Sequence, residues 1–327
     1  MRAWFSILIL LIIAPQWAGP ERLGLLDPTA TISATRVPLD PADPRRVRVG
    51  RLTYLGGVEL TSKDPVFGGF SAMSLQGDRF TLLSDGGGVV RFRLDARGRI
   101  SEQQIGELPA GPATGWEKRD RDSESMIVDP VTGERIVGLE RVNEIWRYDA
   151  GFTRAIRHSA PKAMRRWDEN GGPEAMVRLA DGRTIVFAES TRPKHKPGRQ
   201  ALSFAGDPTR APARGFRFTY LPPAHHDPSD AALLPDGRIL VLNRRFDAPF
   251  DFSATLTIID PRAIRPGAIV RGQEIATIDT PLTRDNFEGL VVAREGRATV
   301  LWLVSDDNQF FLERTLLLKF RLEPPTR

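Results

Sequence analysis

The 327-residue chain contains no cysteine. This excludes disulfides, thiolate-held metals and a cysteine nucleophile. Histidine is scarce as well. His158, His195, His225 and His226 are all there are, so a zinc site built on imidazoles has few candidate ligands. Only the pair His225-His226 has a spacing worth a test, and such a pair is more often a loop feature. The formal net charge is +5, yet no five basic residues run together, and acidic residues are interleaved throughout. A nucleic-acid-binding stripe or tail is therefore not expected. Signature loops of several enzyme classes are missing too. There is no G-x-S-x-G elbow, no G-x-x-x-x-G-K-[ST] loop, no G-x-G-x-x-G opening a helix and no H-E-x-x-H.

Beyond the N-terminus, no apolar run approaches the ~20 residues needed to span a bilayer. Residues 3–14 (AWFSILILLIIA) follow the positive Met1-Arg2 and precede Pro15 to Gly19, the order of a secretory signal peptide. Cleavage is expected near Ala18 or Gly19. Gln16 at the −3 position departs from the small-x-small rule, which leaves an uncleaved anchor as the alternative. The expected organisation is a signal peptide over 1–19, an irregular lead-in over 20–44 and one domain over 45–327. A periplasmic or secreted location follows from that reading, with no membrane span after signal removal.

What the chain does have is a repeat. Residues 70–87 (FSAMSLQGDRFTLLSDGG), 122–143, 172–190 (GPEAMVRLADGRTIVFAES), 228–245 (PSDAALLPDGRILVLNRR) and 286–308 share one grammar. A small or acidic pair leads into a short apolar strand. A turn glycine follows (Gly77, Gly133, Gly182, Gly237, Gly296), then a strongly apolar strand that ends in polar residues. Asp-Gly between two apolar runs is a hairpin signal, because glycine adopts positive φ without steric cost. Successive units are spaced at intervals that suit one four-stranded propeller blade each. Further strands over 89–94, 144–148, 254–259 and 315–320 lack helical period. The fifth unit runs out of chain after three strands, while strands over 47–49 and 51–55 stand unused at the N-terminus. The expected fold is therefore all-β, a single propeller of five or six blades closed by an N-terminal strand. A sixth, degenerate blade could come from residues 45–70 or 191–225.

Equivalent positions of a propeller converge around its channel. The leading positions are Ser71, Glu124, Glu174, Asp230 and Glu288, and the second strands end at Asp85, Glu140, Glu189, Asn243 and residues 305–308. So many carboxylates in one mouth require protonation or a bound cation. A hard ion with oxygen ligands is the simplest solution, and Ca²⁺ accepts six to eight oxygens. Glu124, Glu174, Asp230 and Glu288 are the expected metal ligands. Asp85 or Asp306 would orient a water, and Arg141, Arg192, Arg244 and Arg245 would bind a substrate anion.

These units, FSAM, DSESM, GPEAM, PSDAALLPDGRILVLNRR and NFEGL…VSDDN, resemble the phytase-like family of exported bacterial propellers with esterase-like activity. The resemblance spans roughly residues 50–325. It implies a β-propeller and hydrolysis of phosphoesters or other esters. Glu174 and Glu288-Gly289 are also distantly similar to the metal-binding glutamate motif of calcium-dependent lactonase propellers. The expected function is a metal-dependent hydrolase of small anionic esters, with phosphoesters the leading class. A calcium-dependent lactonase or carboxylesterase, or a non-catalytic binding or scaffold propeller, are the alternatives.

Overall fold

The computed structural model describes residues 24–325 apart from Pro28, Trp116, Pro249 and Phe250. The expected signal peptide lies outside the described residues. Three strands come first: β1 (Ser33–Arg36), β2 (Arg48–Val49) and β3 (Leu52–Thr61). Blade I follows as β4 (Phe70–Gln76), β5 (Arg79–Ser84), β6 (Gly88–Leu94) and β7 (Ile100–Glu107). Blade II is β8 (Ser123–Val128), β9 (Arg135–Leu139), β10 (Glu144–Tyr148) and β11 (Ala155–Ser159). Blade III is β12 (Pro173–Arg178), β13 (Thr184–Ala188), β14 (Arg199–Phe204) and β15 (Gly215–Leu221). Blade IV is β16 (Asp227–Leu233), β17 (Ile239–Asp247), β18 (Asp251–Ile259) and, after the short β19 (Ile269–Arg271), β20 (Gln273–Ile278). β19 pairs in parallel with β15 and so laces blade IV to blade III. Blade V is β21 (Asn286–Glu295), β22 (Ala298–Asp306) and β23 (Thr315–Leu322), completed by β3.

The fold is thus an all-β propeller of five blades. Closure occurs as the unused N-terminal strands suggested. β3 pairs antiparallel with β23 from Leu52↔Leu322 to Leu60↔Thr315, joining the two ends of the chain in one sheet. The candidate sixth-blade segments have other fates. Residues 45–70 supply β3, and residues 191–225 supply the outer strands of blade III. Part of the 20–44 lead-in is regular. β1 pairs with β3 and forms the outer edge of blade V.

Each blade packs on both of its faces, so its middle strands are apolar at nearly every position. In β17, Leu240 and Leu242 face the seam with blade V, whereas Ile239 and Val241 face the seam with blade III. The period-two alternation of side chains serves two cores at once. Comparable apolar seams separate blades V and I, I and II, and II and III. Truncating a fully buried leucine in such a seam costs about 2–5 kcal/mol. The inner hairpins turn at Gly77, Gly182, Gly237 and Gly296, where φ is +65°, +88°, +84° and +59°.

A candidate metal site at the propeller mouth

All five inner strands carry a bulge at the same place. The register slips between Phe70 and Ala72, Ser123 and Ser125, Pro173 and Ala175, Pro228 and Asp230, and Phe287 and Gly289. A bulge sets two residues against one and re-aims the extra side chain. The bulged residues are Ser71, Glu124, Glu174, Ser229 and Glu288. Four match the leading positions read from the repeat. The fourth differs, because Ser229, not Asp230, occupies the ring.

The two residue types at the bulge do different things. Ser71 Oγ donates to Ser123 O of the next blade, and Ser229 Oγ donates to Phe287 O at 3.2 Å. These serines stitch neighbouring blades together. Glu124, Glu174 and Glu288 carry carboxylates instead, which when ionised accept and do not donate hydrogen bonds, and these turn toward one another. Their carboxylate oxygens lie within 4.8 Å of one another. Two further triplets share members with this one: Asp122 with Glu124 and Glu140, and Glu140 with Glu174 and Glu189. Three overlapping sets of oxygen donors therefore line one mouth.

Asp230 belongs to a different structure. It is buried, and its carboxylate accepts the backbone N–H of Leu290 at 2.6 Å and that of Ala231 at 2.7 Å. This is a latch between blades IV and V. The expectation that Asp230 joins the metal ligands is corrected on that ground.

The ends of the second strands form another ring: Asp85, Glu140, Glu189, Arg244 and Asp306. Arg244 takes in blade IV the place that carboxylates hold elsewhere. It bonds Glu189 Oε1 at 2.6 Å and Asn286 Oδ1 at 3.2 Å, and lies 3.4 Å from Glu288 Oε1. Burial disfavours its charge, but Glu288, Glu189 and Glu174 outweigh that and hold the guanidinium firmly ionised. Lys118 performs a similar service on the opposite side, ion-paired to Asp85.

The acids respond to this crowding. Burial, then neighbouring carboxylates, pushes Glu140 up to about 8. Burial and Asp306 raise Asp85 to about 7 despite the Lys118 ammonium. Glu288 rises to about 7 through burial, with Arg244 opposing. Glu124, Glu174 and Asp306 are displaced further in the same direction, again with burial first. Glu124 and Glu174 accept no hydrogen bond or ion pair from any described residue. A half-buried carboxylate (Glu124) and a buried one (Glu174), both without protein partners, converging with Glu288 and offering oxygen alone, fit a metal ion.

The expected anion-binding arginines are dispersed. Arg141 stands at the rim, paired through Nε to Asp122 at 2.6 Å, with its side chain 43% exposed. Arg244 is committed to the acids. Arg245, one residue on along β17, faces away and pairs with Asp247, Asp251 and Asp279. Arg192 is exposed, and among the described residues only its backbone oxygen is bonded, by Gln200 Nε2. The mouth therefore offers Lys118 and Arg141, and the reading of Arg192 and Arg245 as substrate ligands is not supported by their placement. The histidines stay outside as well. His226 is buried in blade IV, where its Nδ1 meets Ala224 O at 2.8 Å and burial lowers its pKa. Sequence reasoning did not single out Lys118 or Asp122. Lys118 sits in the long connection between blades I and II, which carries no repeat signature. Asp122 is the first residue of the second repeat unit and was visible only as part of it.

Among the described residues, no helix is long and apolar enough to cross a membrane. No curated protein sequence matches the chain at a significant level. In shape the chain is similar to a streptogramin B lyase structure, at 10% identity over 91% of this chain and 88% of that chain, with a TM-score of 0.41. It is also similar to a hypothetical protein from Leishmania major, at 14% identity over 79% and 85% with a TM-score of 0.43. A third similar structure is a luciferin-regenerating enzyme, at 10% identity over 89% and 98% with a TM-score of 0.44. Residues 65–309 match the family described as phytase-like, with esterase-like activity of phytase, and the chain belongs to that family.

Proposed function

We propose that this propeller is an exported, metal-dependent hydrolase of small anionic esters, with phosphoesters the favoured class. The observation that carries the reading is the set of three overlapping carboxylate triplets at the mouth. Glu124, Glu174 and Glu288 would hold the ion, with Asp122, Glu140 and Glu189 completing the oxygen set. Ca²⁺ suits this donor set best, because it takes many carboxylate oxygens in flexible geometry. Such an ion supplies Lewis acidity toward an ester oxygen and acidifies a bound water.

The chain's own residues do the rest. Asp85, poised near neutrality, can take a proton from water at the mouth and return it to a leaving oxygen. Asp306 lies beside it and helps keep that proton available, since each acid disfavours ionisation of the other. Lys118 and Arg141 stand at the rim to hold the substrate anion. Arg244 opposes the upward pull of burial on Glu189 and Glu288 and orients them, a positioning task.

Because the terminal nitrogens of Arg244 are committed to Glu189 and Asn286, an uncharged ester or lactone is the second reading. The two separate on a panel of phosphoesters, carboxylesters and lactones assayed with and without Ca²⁺. Metal-dependent turnover of phosphoesters supports the first, and turnover confined to neutral esters the second. A chelator-insensitive rate, or no turnover of any ester with metal bound, would leave a binding propeller instead. The periplasmic or secreted location rests on the N-terminal sequence.

A further inference from the structure

Beside the mouth, a cavity of about 400 Å³ is lined by Arg141, Asn143, Lys162, Arg165, Trp167 and Glu169, among others. Its inner wall is the turn between β9 and β10, residues 140–143. Glu140 of that turn faces the carboxylate cluster, so the two sites share a wall. The cavity's outer wall is the connection between blades II and III, residues 160–172.

Several of its polar groups lack partners. Lys162 and Arg165 are exposed and form no ion pair with any described residue. Arg141 spends only Nε on Asp122, and its terminal nitrogens bond nothing among the described residues. Asn143 is 7% exposed, and its backbone is held at φ +53°. Its amide nitrogen donates to Trp167 O at 3.2 Å, which fixes the orientation of the side chain. That leaves Asn143 Oδ1 buried with no hydrogen-bond partner. A buried acceptor in this state is destabilising unless a ligand or water satisfies it. Three cations without a full complement of anions and one buried acceptor without a donor define complementary chemistry: an anionic group with a hydroxyl close by.

We infer that this cavity is a recognition subsite for a hydroxylated compound carrying an anionic group, phosphate being the best match to the clustered guanidinium and ammonium groups. Lys162 and Arg165 take this anion, Asn143 Oδ1 accepts the hydroxyl, and Arg141 on the shared wall stands between the cavity and the mouth. The inference rests on the hydrolase reading for its biological meaning. It then specifies the substrate class as an ester whose hydroxylated part bears a second anionic group, seated beside the carboxylate mouth.

The test is calorimetric, using the chelator-treated protein and then the Ca²⁺-loaded protein. The probes are glycerol 3-phosphate, inorganic phosphate and glycerol. Glycerol 3-phosphate should bind both forms, more tightly than either fragment. Lys162→Met/Arg165→Met should weaken it roughly tenfold, as expected for the loss of two charge-assisted contacts. Asn143→Gly suits the positive φ and should erase the advantage over inorganic phosphate. Unchanged Ca²⁺ binding by each variant shows that the fold and mouth are intact. Absence of glycerol 3-phosphate binding to the wild type, or binding indifferent to both variants, overturns the inference. Binding that behaves as expected without turnover of any ester sinks the hydrolase reading and leaves the subsite standing. Ester turnover with no preference for anion-bearing substrates does the reverse.

Discussion

Blades III and IV have matching inner hairpins and nearly opposite chemistry. Both turn on Asp-Gly, both carry the bulge, and both have a buried middle strand. Blade III puts Glu174 at the bulge and Glu189 at the end of the second strand. Blade IV puts Ser229 and Arg244 at the same two places. The first blade presents two carboxyl groups to the mouth. The second ties itself to blade V through Ser229 and supplies the cation that offsets its neighbours. The difference shows that the propeller's backbone fixes where side chains converge, while two positions per blade decide the charge of the mouth. A fold of this kind separates stability, which resides in the seams between blades, from chemistry, which resides in the bulge and strand-end rings.

The comparison can be broken most severely at Arg244. Arg244→Met leaves Glu189 and Glu288 without their counter-charge; loss of one member of a buried ionic set costs about 3–5 kcal/mol, and this half-buried set should lose somewhat less. Thermal unfolding of the metal-free variant at pH 8 should reveal that loss, and Ca²⁺ should restore part of it. A variant as stable as wild type in chelator would show that Arg244 is not what balances the acids.

The next effect is a pH dependence. Asp85 and Glu288, raised to about 7, and Glu140, raised to about 8, stay protonated in the folded chain where the unfolded chain has already ionised, near pH 4. Protons thus favour the folded state across this window. Their stabilisation is complete below about pH 4 and is lost as pH rises through about 8. The metal-free protein should melt at a lower temperature at pH 8 than at pH 5.5. Saturating Ca²⁺ should flatten that slope, since ligation takes over from protonation. A melting temperature that climbs from pH 5.5 to 8 in chelator would contradict the assigned shifts.

Asp230 and Ser229 give smaller and sharper contrasts. Asp230→Asn weakens the latch on Leu290 and should cost about 1–3 kcal/mol while leaving Ca²⁺ affinity unchanged. A large fall in affinity would return Asp230 to the ligand set. Ser229→Ala removes one bond between blades IV and V, worth about 1 kcal/mol in denaturant unfolding. No measurable change would mean that the bulge serines do not stitch the blades.

The fold was legible because its signals are local and repeated. Glycine turns, apolar second strands and an orphan N-terminal strand each follow from backbone sterics or edge pairing, and β3 pairs with β23 as those signals require. The site was legible only to within one residue. In Gly172-Pro173-Glu174-Ala175 and Pro228-Ser229-Asp230-Ala231, aligning on alanine equates Glu174 with Asp230, whereas aligning on proline equates it with Ser229. The turn glycines decide between them. Glu174, Ser229 and Glu288 each lie eight residues before Gly182, Gly237 and Gly296. A bulge is a question of register, and register has to be counted from the turn, not read from residue type. The arginines were less legible for a related reason. Arg244 and Arg245 are neighbours in sequence but point to opposite faces of β17, so one reaches the mouth and the other cannot. Lys118 gave no repeat signal because the connection that carries it occurs once.

The most direct measurement is Ca²⁺ titration of the purified protein by calorimetry, beside a Glu124→Gln/Glu288→Gln variant that folds with wild-type circular dichroism. Saturable binding to the wild type, with affinity reduced at least about a hundredfold in the variant, is the expected result, because both substitutions remove charged ligand oxygens from the central triplet. Undetectable binding to the wild type, or equal binding to both proteins, would contradict a metal site at the mouth.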